Sequence, residues 1–248
     1  MHQRLCRQED FSDMATLSAS AFKADGLFAW LHPRSDVYYG DFRRYFINRN
    51  KTLFNSCGTI IWVMVTDEKD AHWTGKSEIM GYAVWKRHGQ TETAKAWQRD
   101  TLGMKLERML LKAEDTFAWA IGSDRSVSWE NVKIMNDTRG YTFFDNLHER
   151  WHLSMLAVGA QYQRLGVGSK LIDWGFDIAQ RERVPVTLVG SPLGTSLYRK
   201  KGFKTCGLRE TTKDIVGTIM LWEPSGMDGM FFKVQEDGTV VIKDPPSA

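Results

Sequence analysis

Apolar and polar positions along this chain follow two periods, and the switches between them mark out its elements. Phe11, Met14, Leu17, Ala21 and Phe22 recur at helical spacing, so residues 10–24 are predicted to form a helix with Asp10 or Ser12 as its cap. Residues 36–54 read as a second helix, with Val37, Phe42, Tyr45, Phe46 and Leu53 turned inward. Short runs rich in β-branched and apolar residues read as strands at 3–7, 58–66, 79–87, 153–158, 186–189 and 217–222. The polar stretch 67–78 is too long for a tight hairpin turn. Residues 170–174 and those after them open another helix, and a shorter one is expected around Tyr198.

A long insertion, residues 89–150, separates the third and fourth of the predicted sheet strands. Much of it is helical in pattern, with Leu102, Leu106, Met109, Ala113, Phe117 and Ile121 in one apolar stripe. Such a stripe reads first as a packing face. The second reading is a lid over a binding site, because long insertions are often functional. Phe143, Phe144 and Leu147 suggest another apolar patch. After residue 223 the chain is punctuated by glycine and proline. Phe231, Phe232 and Val240–Ile242 are candidates for an added hairpin, and residues 244–248 are expected to fray. The expected organisation is one α/β domain over residues 1–223 and a C-terminal extension over 224–248.

Composition narrows the class. A chain of 248 residues with 42% hydrophobic and 25% charged content can bury a substantial core as a soluble globular protein. A formal charge of +3 is too small to make nucleic acid or a membrane the main partner. The longest apolar run, residues 60–65, is far too short to span a bilayer. Cys6, Cys57 and Cys206 have no paired spacing, which argues against a disulfide framework or a zinc site. With no apolar signal core near Met1, the expectation is a reduced, cytoplasmic protein without a metal. Most of the ten tryptophans are expected to anchor the core, and some to wall an acceptor pocket.

Candidate chemistry concentrates in residues 162–169, Tyr-Gln-Arg-Leu-Gly-Val-Gly-Ser, between a predicted strand and a predicted helix. The first turn of a helix presents unpartnered N–H groups and the positive end of its dipole. Glycines let a phosphate come close to them. A phosphate loop of the Gly-Lys-Ser/Thr kind is excluded by the order Gly168-Ser169-Lys170. A dinucleotide fingerprint is excluded by Leu171 at its third glycine and by the loop 159–163. What remains is Gln163-x-x-Gly166-x-Gly168, or an ordinary glycine turn before a packing helix. Residues 161–204 hold eight basic side chains against three acidic ones, a local +5 suited to a polyanionic ligand.

The Gln-x-x-Gly-x-Gly loop, followed by Val186-Thr187-Leu188-Val189, then Tyr198 and Gly202-Phe203, resembles the GNAT superfamily of acyl-CoA-dependent N-acyltransferases, and its fungal members in particular. The likeness covers about residues 151–203. It implies a twisted mixed sheet flanked by helices; the helical insertion 89–150 between the third and fourth strands is a departure from the family pattern, in which a short connection joins those strands. The likeness also implies acetyl-CoA as donor and an amine, expected to be that of a small molecule, as acceptor. An acceptor on a protein or peptide, or a non-catalytic acyl-CoA sensor, are the alternatives.

By the same resemblance Leu156, Ala157 and Val158 line the pantetheine arm, and Gln163, Arg164, Leu165, Gly166, Val167, Gly168 and Ser169 form the pyrophosphate loop. Ser191 stands where many members have asparagine. Tyr198 is placed to protonate the leaving thiolate, its other reading being a core aromatic. An amine must lose a proton before it attacks, so a base is wanted. Val186 stands where some members carry a glutamate. His152, Glu149, His148, Glu78 and a water chain remain as candidates.

Overall fold

The computed structural model describes residues 1–138, 143–236 and 240–243. Its main sheet has seven strands: β1 (His2–Leu5), β2 (Thr59–Val65), β3 (Ile79–His88), β4 (Arg150–Val158), β5 (Val186–Gly190), β6 (Lys204–Glu210) and β7 (Val216–Trp222). They lie in the order β1-β2-β3-β4-β5-β7-β6. Every neighbouring pair is antiparallel except β4 and β5. A parallel pair needs a long crossover, and here it contains helix α7 (Val167–Glu182).

Helices cover both faces, as the expected fold class requires. On one face α1 (Phe11–Ala21) and α3 (Tyr39–Phe54) bring Phe11, Met14, Phe42 and Phe46 onto Val63, Tyr82 and Val84. On the other, α7 sets Leu171, Ile172 and Ala179 on Trp85, Trp151 and Leu153. Five tryptophans meet beneath α7: the rings of Trp62, Trp85, Trp97 and Trp151 stand 5.4, 6.0, 6.4 and 5.5 Å from that of Trp174. These are core anchors. Gly175 lets the helix lie on this cluster, since a β-carbon there would overlap the Trp85 ring.

The predicted helices and strands appear with shifted ends. Asp10 stands at the N-cap of α1, but its carboxylate accepts from the Arg4 guanidinium (2.7 Å) and the Arg7 amide (2.7 Å) rather than capping that helix. α3 starts at Tyr39, so Val37 lies in the preceding turn and is exposed, contrary to its expected inward position. A short helix, α2 (Gly26–Leu31), escaped the sequence reading because six residues give too little periodicity. β6 escaped because Gly207 and charged residues interrupt its pattern.

The insertion contains α4 (Glu92–Trp97), α5 (Leu102–Ala120) and α6 (Trp129–Asp137). Its root is tied by buried Arg87, which donates to Glu149 (2.8 Å) and Glu182 (2.7 Å), while Trp97 donates to Glu182 (2.8 Å). Among the described residues, nothing packs on most of the α5 stripe. Leu102, Leu106, Met109, Phe117 and Ile121 are exposed, and Leu111 is the helix's one buried residue. Beyond β7, helix α8 (Pro192–Lys200) having already led into β6, the chain adds a hairpin, β8 (Phe232–Val234) with β9 (Val240–Ile242). Phe231, Phe232 and Val240 pack with Phe144, Leu147, Ile219 and Leu221. Residues 244–248, expected to fray, lie outside the described residues.

Candidate active site

β4 and β5 pair over three positions, from Trp151↔Val186 to Leu153↔Leu188. Past that point β4 stays with β3 as far as Val158, and β5 stays with β7 as far as Gly190. The two strands therefore part into a wedge. Ser154 stands at the fork: the β3–β4 ladder passes from Trp85↔Leu153 to Val84↔Met155, so Ser154 is an exposed bulge. The bulge reverses the side-chain alternation. Trp151 and Leu153 face the α7 core, Met155 and Ala157 the opposite core, and Leu156 and Val158 return toward α7.

Backbone direction follows from one bond. The Gly159 amide donates to the Met80 carbonyl at 3.0 Å. Alternation along an antiparallel ladder then pairs Ala157 with Tyr82 and turns the backbone groups of Leu156 and Val158 into the wedge. Of the three expected pantetheine partners, two thus offer free backbone groups and Ala157 faces β3.

The N-terminus of α7 closes one side. Gly166 caps it at φ 80°, a conformation favourable to glycine, and Arg164 precedes it at φ 65°. The first bond into the helix is from the Lys170 amide to the Gly166 carbonyl, 3.0 Å. No acceptor is recorded among the described residues for the amides of residues 164–169. Gln163, Arg164, Leu165 and Gly166 are exposed, Ser169 is half-buried, and Val167 and Gly168 are buried. A β-carbon on Gly168 would stand 3.6 Å from Val158, 3.7 Å from Leu156 and 3.2 Å from Leu197 of α8, so the loop reaches both walls of the wedge. Gly81 on β3 allows this approach, because a β-carbon there would lie 2.7 Å from the Ala157 carbonyl and 3.0 Å from Val167.

The other wall carries Ser191 and Tyr198. Ser191 caps α8 through its carbonyl, which accepts from the Thr195 amide (3.1 Å) and hydroxyl (2.9 Å), while its own hydroxyl has no partner among the described residues. Tyr198 is buried, its ring against Gly190 and Gly194. Burial raises its pKa, and the Asp25 carboxylate adds to the rise. Asp25, itself buried, caps α2 by accepting from the amides of Leu27 (3.1 Å) and Phe28 (3.4 Å).

The structure gathers Leu156, Val158, the 163–169 loop, Ser191 and Tyr198 about one wedge and leaves His152 apart. His152 lies in the paired segment, about 13 Å from Leu156 along the strand. Its Nδ1 meets Thr187 Oγ1 at 2.9 Å, and its ring packs near His88 and Phe144. Burial, with Arg150 and Lys86 adding, lowers its pKa to about 3. Glu149 is occupied by Arg87, Thr91 and Gln90. Glu78 accepts from Tyr162 (2.8 Å) and Thr74 (2.7 Å). Sequence reasoning passed over Ser154 and Asp25. The broken alternation of Leu-Ser-Met-Leu-Ala-Val signals the first, and an aspartate just before a Gly-Leu-Phe helix start signals the second. Among the described residues no three His, Cys, Asp or Glu side chains could hold a metal, and no helix is long and apolar enough to cross a membrane.

Comparisons with known proteins agree with this architecture. A family model described as an acetyltransferase (GNAT) domain matches residues 126–224. The chain is 31% identical over 122 residues to a protein of Ajellomyces capsulatus described as a probable acyltransferase SID5, covering 49% of this chain and 71% of that one. It is 21% identical over 205 residues to an acetyltransferase of Stachybotrys chartarum, covering 82% and 80%. In fold it resembles a crystal structure described as histone acetyltransferase HPA2 and related acetyltransferase from Corynebacterium glutamicum, with a TM-score of 0.56, 19% identity and coverage of 90% and 94%.

Proposed function

The chain belongs to the GNAT family and is an acyl-CoA-dependent acetyltransferase, and on that premise we propose that it moves an acetyl group from acetyl-CoA directly to the primary amine of a small molecule. The observation that carries this reading is the wedge: open backbone at Leu156 and Val158 beside a run of unpartnered amides at residues 164–169. Those amides, with the helix dipole behind them, suit a pyrophosphate. An extended pantetheine arm suits the free β4 edge, bonding there as an added strand would. The thioester then reaches the fork near Ser154, where the Leu156 or Val158 amide can donate to the developing oxyanion.

Tyr198 donates a hydrogen bond to the departing sulfur from the opposite wall, and the Ser191 hydroxyl bonds the arm. Asp25, close enough to act electrostatically on Tyr198, is the carboxylate we assign to the incoming amine. It holds the ammonium and accepts its proton, either directly or through water. No covalent intermediate on the protein is needed when donor and acceptor share one wedge. His152 takes a structural part in this scheme, binding β4 to β5 through Thr187. Residues 1–223 make the catalytic unit, and the extension from 224 buttresses β6 and β7.

Calorimetry with coenzyme A tests the loop. Gly166→Val, which forces a β-branched residue into a left-handed conformation, should weaken binding about tenfold or more. Unchanged affinity in a folded variant contradicts the assignment. Thiol release with a panel of small arylalkyl and alkyl amines, set against peptides, tests the acceptor. A clear preference for peptides overturns the small-molecule reading.

A further inference from the structure

We propose that α5 is a self-association surface, through which two copies of this chain pair with their α5 helices running in the same direction. The helix is built inside out. Its contacts with the rest of the chain are largely polar: Arg108 donates to the Asn55 carbonyl at 2.7 Å and pairs with Asp100 at 2.7 Å, and Asp115 accepts from Asn48 of α3. Buried Leu111 marks the inward direction. At 3.6 residues per turn, the stripe lies on the far side of the helix from it. Leu102 is 84% exposed, Leu106 57%, Met109 69%, Leu110 56%, Phe117 66% and Ile121 60%.

Together these six side chains leave on the order of 700 Å² in water. That exceeds the roughly 300–600 Å² of a monomer's usual largest apolar patch and approaches the share of about 800 Å² that one partner gives a standard interface.

Charge selects the occupant. Lys105, Arg108 and Lys112 balance Glu107, Glu114 and Asp115 on this helix, whereas a helix resting on an anionic membrane carries an excess of lysine and arginine. The charges are also sorted. Exposed Lys105 and Lys112 border the stripe on one side, and exposed Glu107 and Glu114 border it on the other. A two-fold pair with helices in the same direction sets each basic edge against the partner's acidic edge. Opposite directions would set like charges together. The surface is therefore complementary to itself, as an isologous interface must be.

Light scattering and sedimentation of the full chain at micromolar concentration should give twice the monomer mass. Leu106→Glu combined with Phe117→Glu should raise the dimer dissociation constant at least a hundredfold, with circular dichroism and coenzyme A affinity unchanged. In a Cys57→Ser background, Leu102→Cys should oxidise to a linked dimer, because parallel helices place that position beside its mate; antiparallel helices would separate the two by about 28 Å. The proposal is overturned by a monomeric parent chain, by a dimer that the double substitution leaves intact, or by a dimer that Leu102→Cys does not link. A monomer that sediments with phosphatidylcholine–phosphatidylserine vesicles also overturns it, in favour of a membrane surface.

Discussion

At the scale of single residues, the proposed reaction gives Tyr198 and Asp25 opposite tasks, hydrogen-bond donor and proton acceptor. Tyr198 is buried, so it keeps its proton well above neutral pH. A thiol leaving group has a pKa near 8.5, and the phenol therefore serves better as a hydrogen-bond donor than as a full acid. Tyr198→Phe should lower kcat about tenfold to a hundredfold and leave coenzyme A binding unchanged, as steady-state kinetics and calorimetry will show. Asp25→Asn keeps a good helix cap while removing the charge. It should lower kcat/KM for the amine at least about tenfold; an unchanged kcat/KM removes Asp25 from the reaction. His32 gives a pH test of stability. Buried among Phe42 and Tyr45 and bonded to Ser126 (2.9 Å), its pKa is lowered to about 4 by burial. The unfolded chain binds the proton first, so the stability due to neutral His32 is complete above about pH 6.5 and is lost as pH falls toward 4. The loss is about 1.4 kcal/mol per pH unit in that window. Urea midpoints at pH 7 and pH 5 should show it, and His32→Gln should shrink the difference.

At the scale of elements, close approach decides where the chemistry sits. Gly175→Ala drives a methyl group into the Trp85 ring and should cost about 1–3 kcal/mol, read from denaturant unfolding. Gly81→Val lifts Val167 off β3 and moves the amides of α7 away from β4. Coenzyme A affinity should fall several-fold, and the unfolding midpoint should fall with it, because a β-carbon at this position meets the Ala157 carbonyl. The helices and strands here were largely legible in their periodicity. The exceptions have local causes. α2 is too short to show a period, β6 is interrupted by Gly207, and the Ser154 bulge breaks the alternation of β4 at the point where the site forms. Val37 was misread because a helical pattern does not mark the turn in which the helix starts.

At the scale of the whole molecule, charge and surface are unevenly distributed. The local +5 of residues 161–204 in a chain of +3 should make coenzyme A binding salt-dependent, weakening several-fold between low and high ionic strength. An affinity indifferent to salt would mean that the loop amides act without this field. The apolar stripe of α5 shows the limit of periodicity. Spacing reveals that one face of a helix avoids water, but not whether the same chain or another one covers it.

By itself, the sequence carried the α/β architecture, because helical and strand periods are local, and its resemblance to a known superfamily pointed to the family and to the glycine loop and Tyr198 as candidates. Only the tertiary structure decided that β4 and β5 part after Leu153, that the Leu156 and Val158 backbone faces the gap, and that His152 lies at its closed end. It also turned the α5 stripe outward. The physical reason is that strand register, bulges and the direction in which a helix docks arise from contacts between distant segments, and no local pattern of residues encodes them.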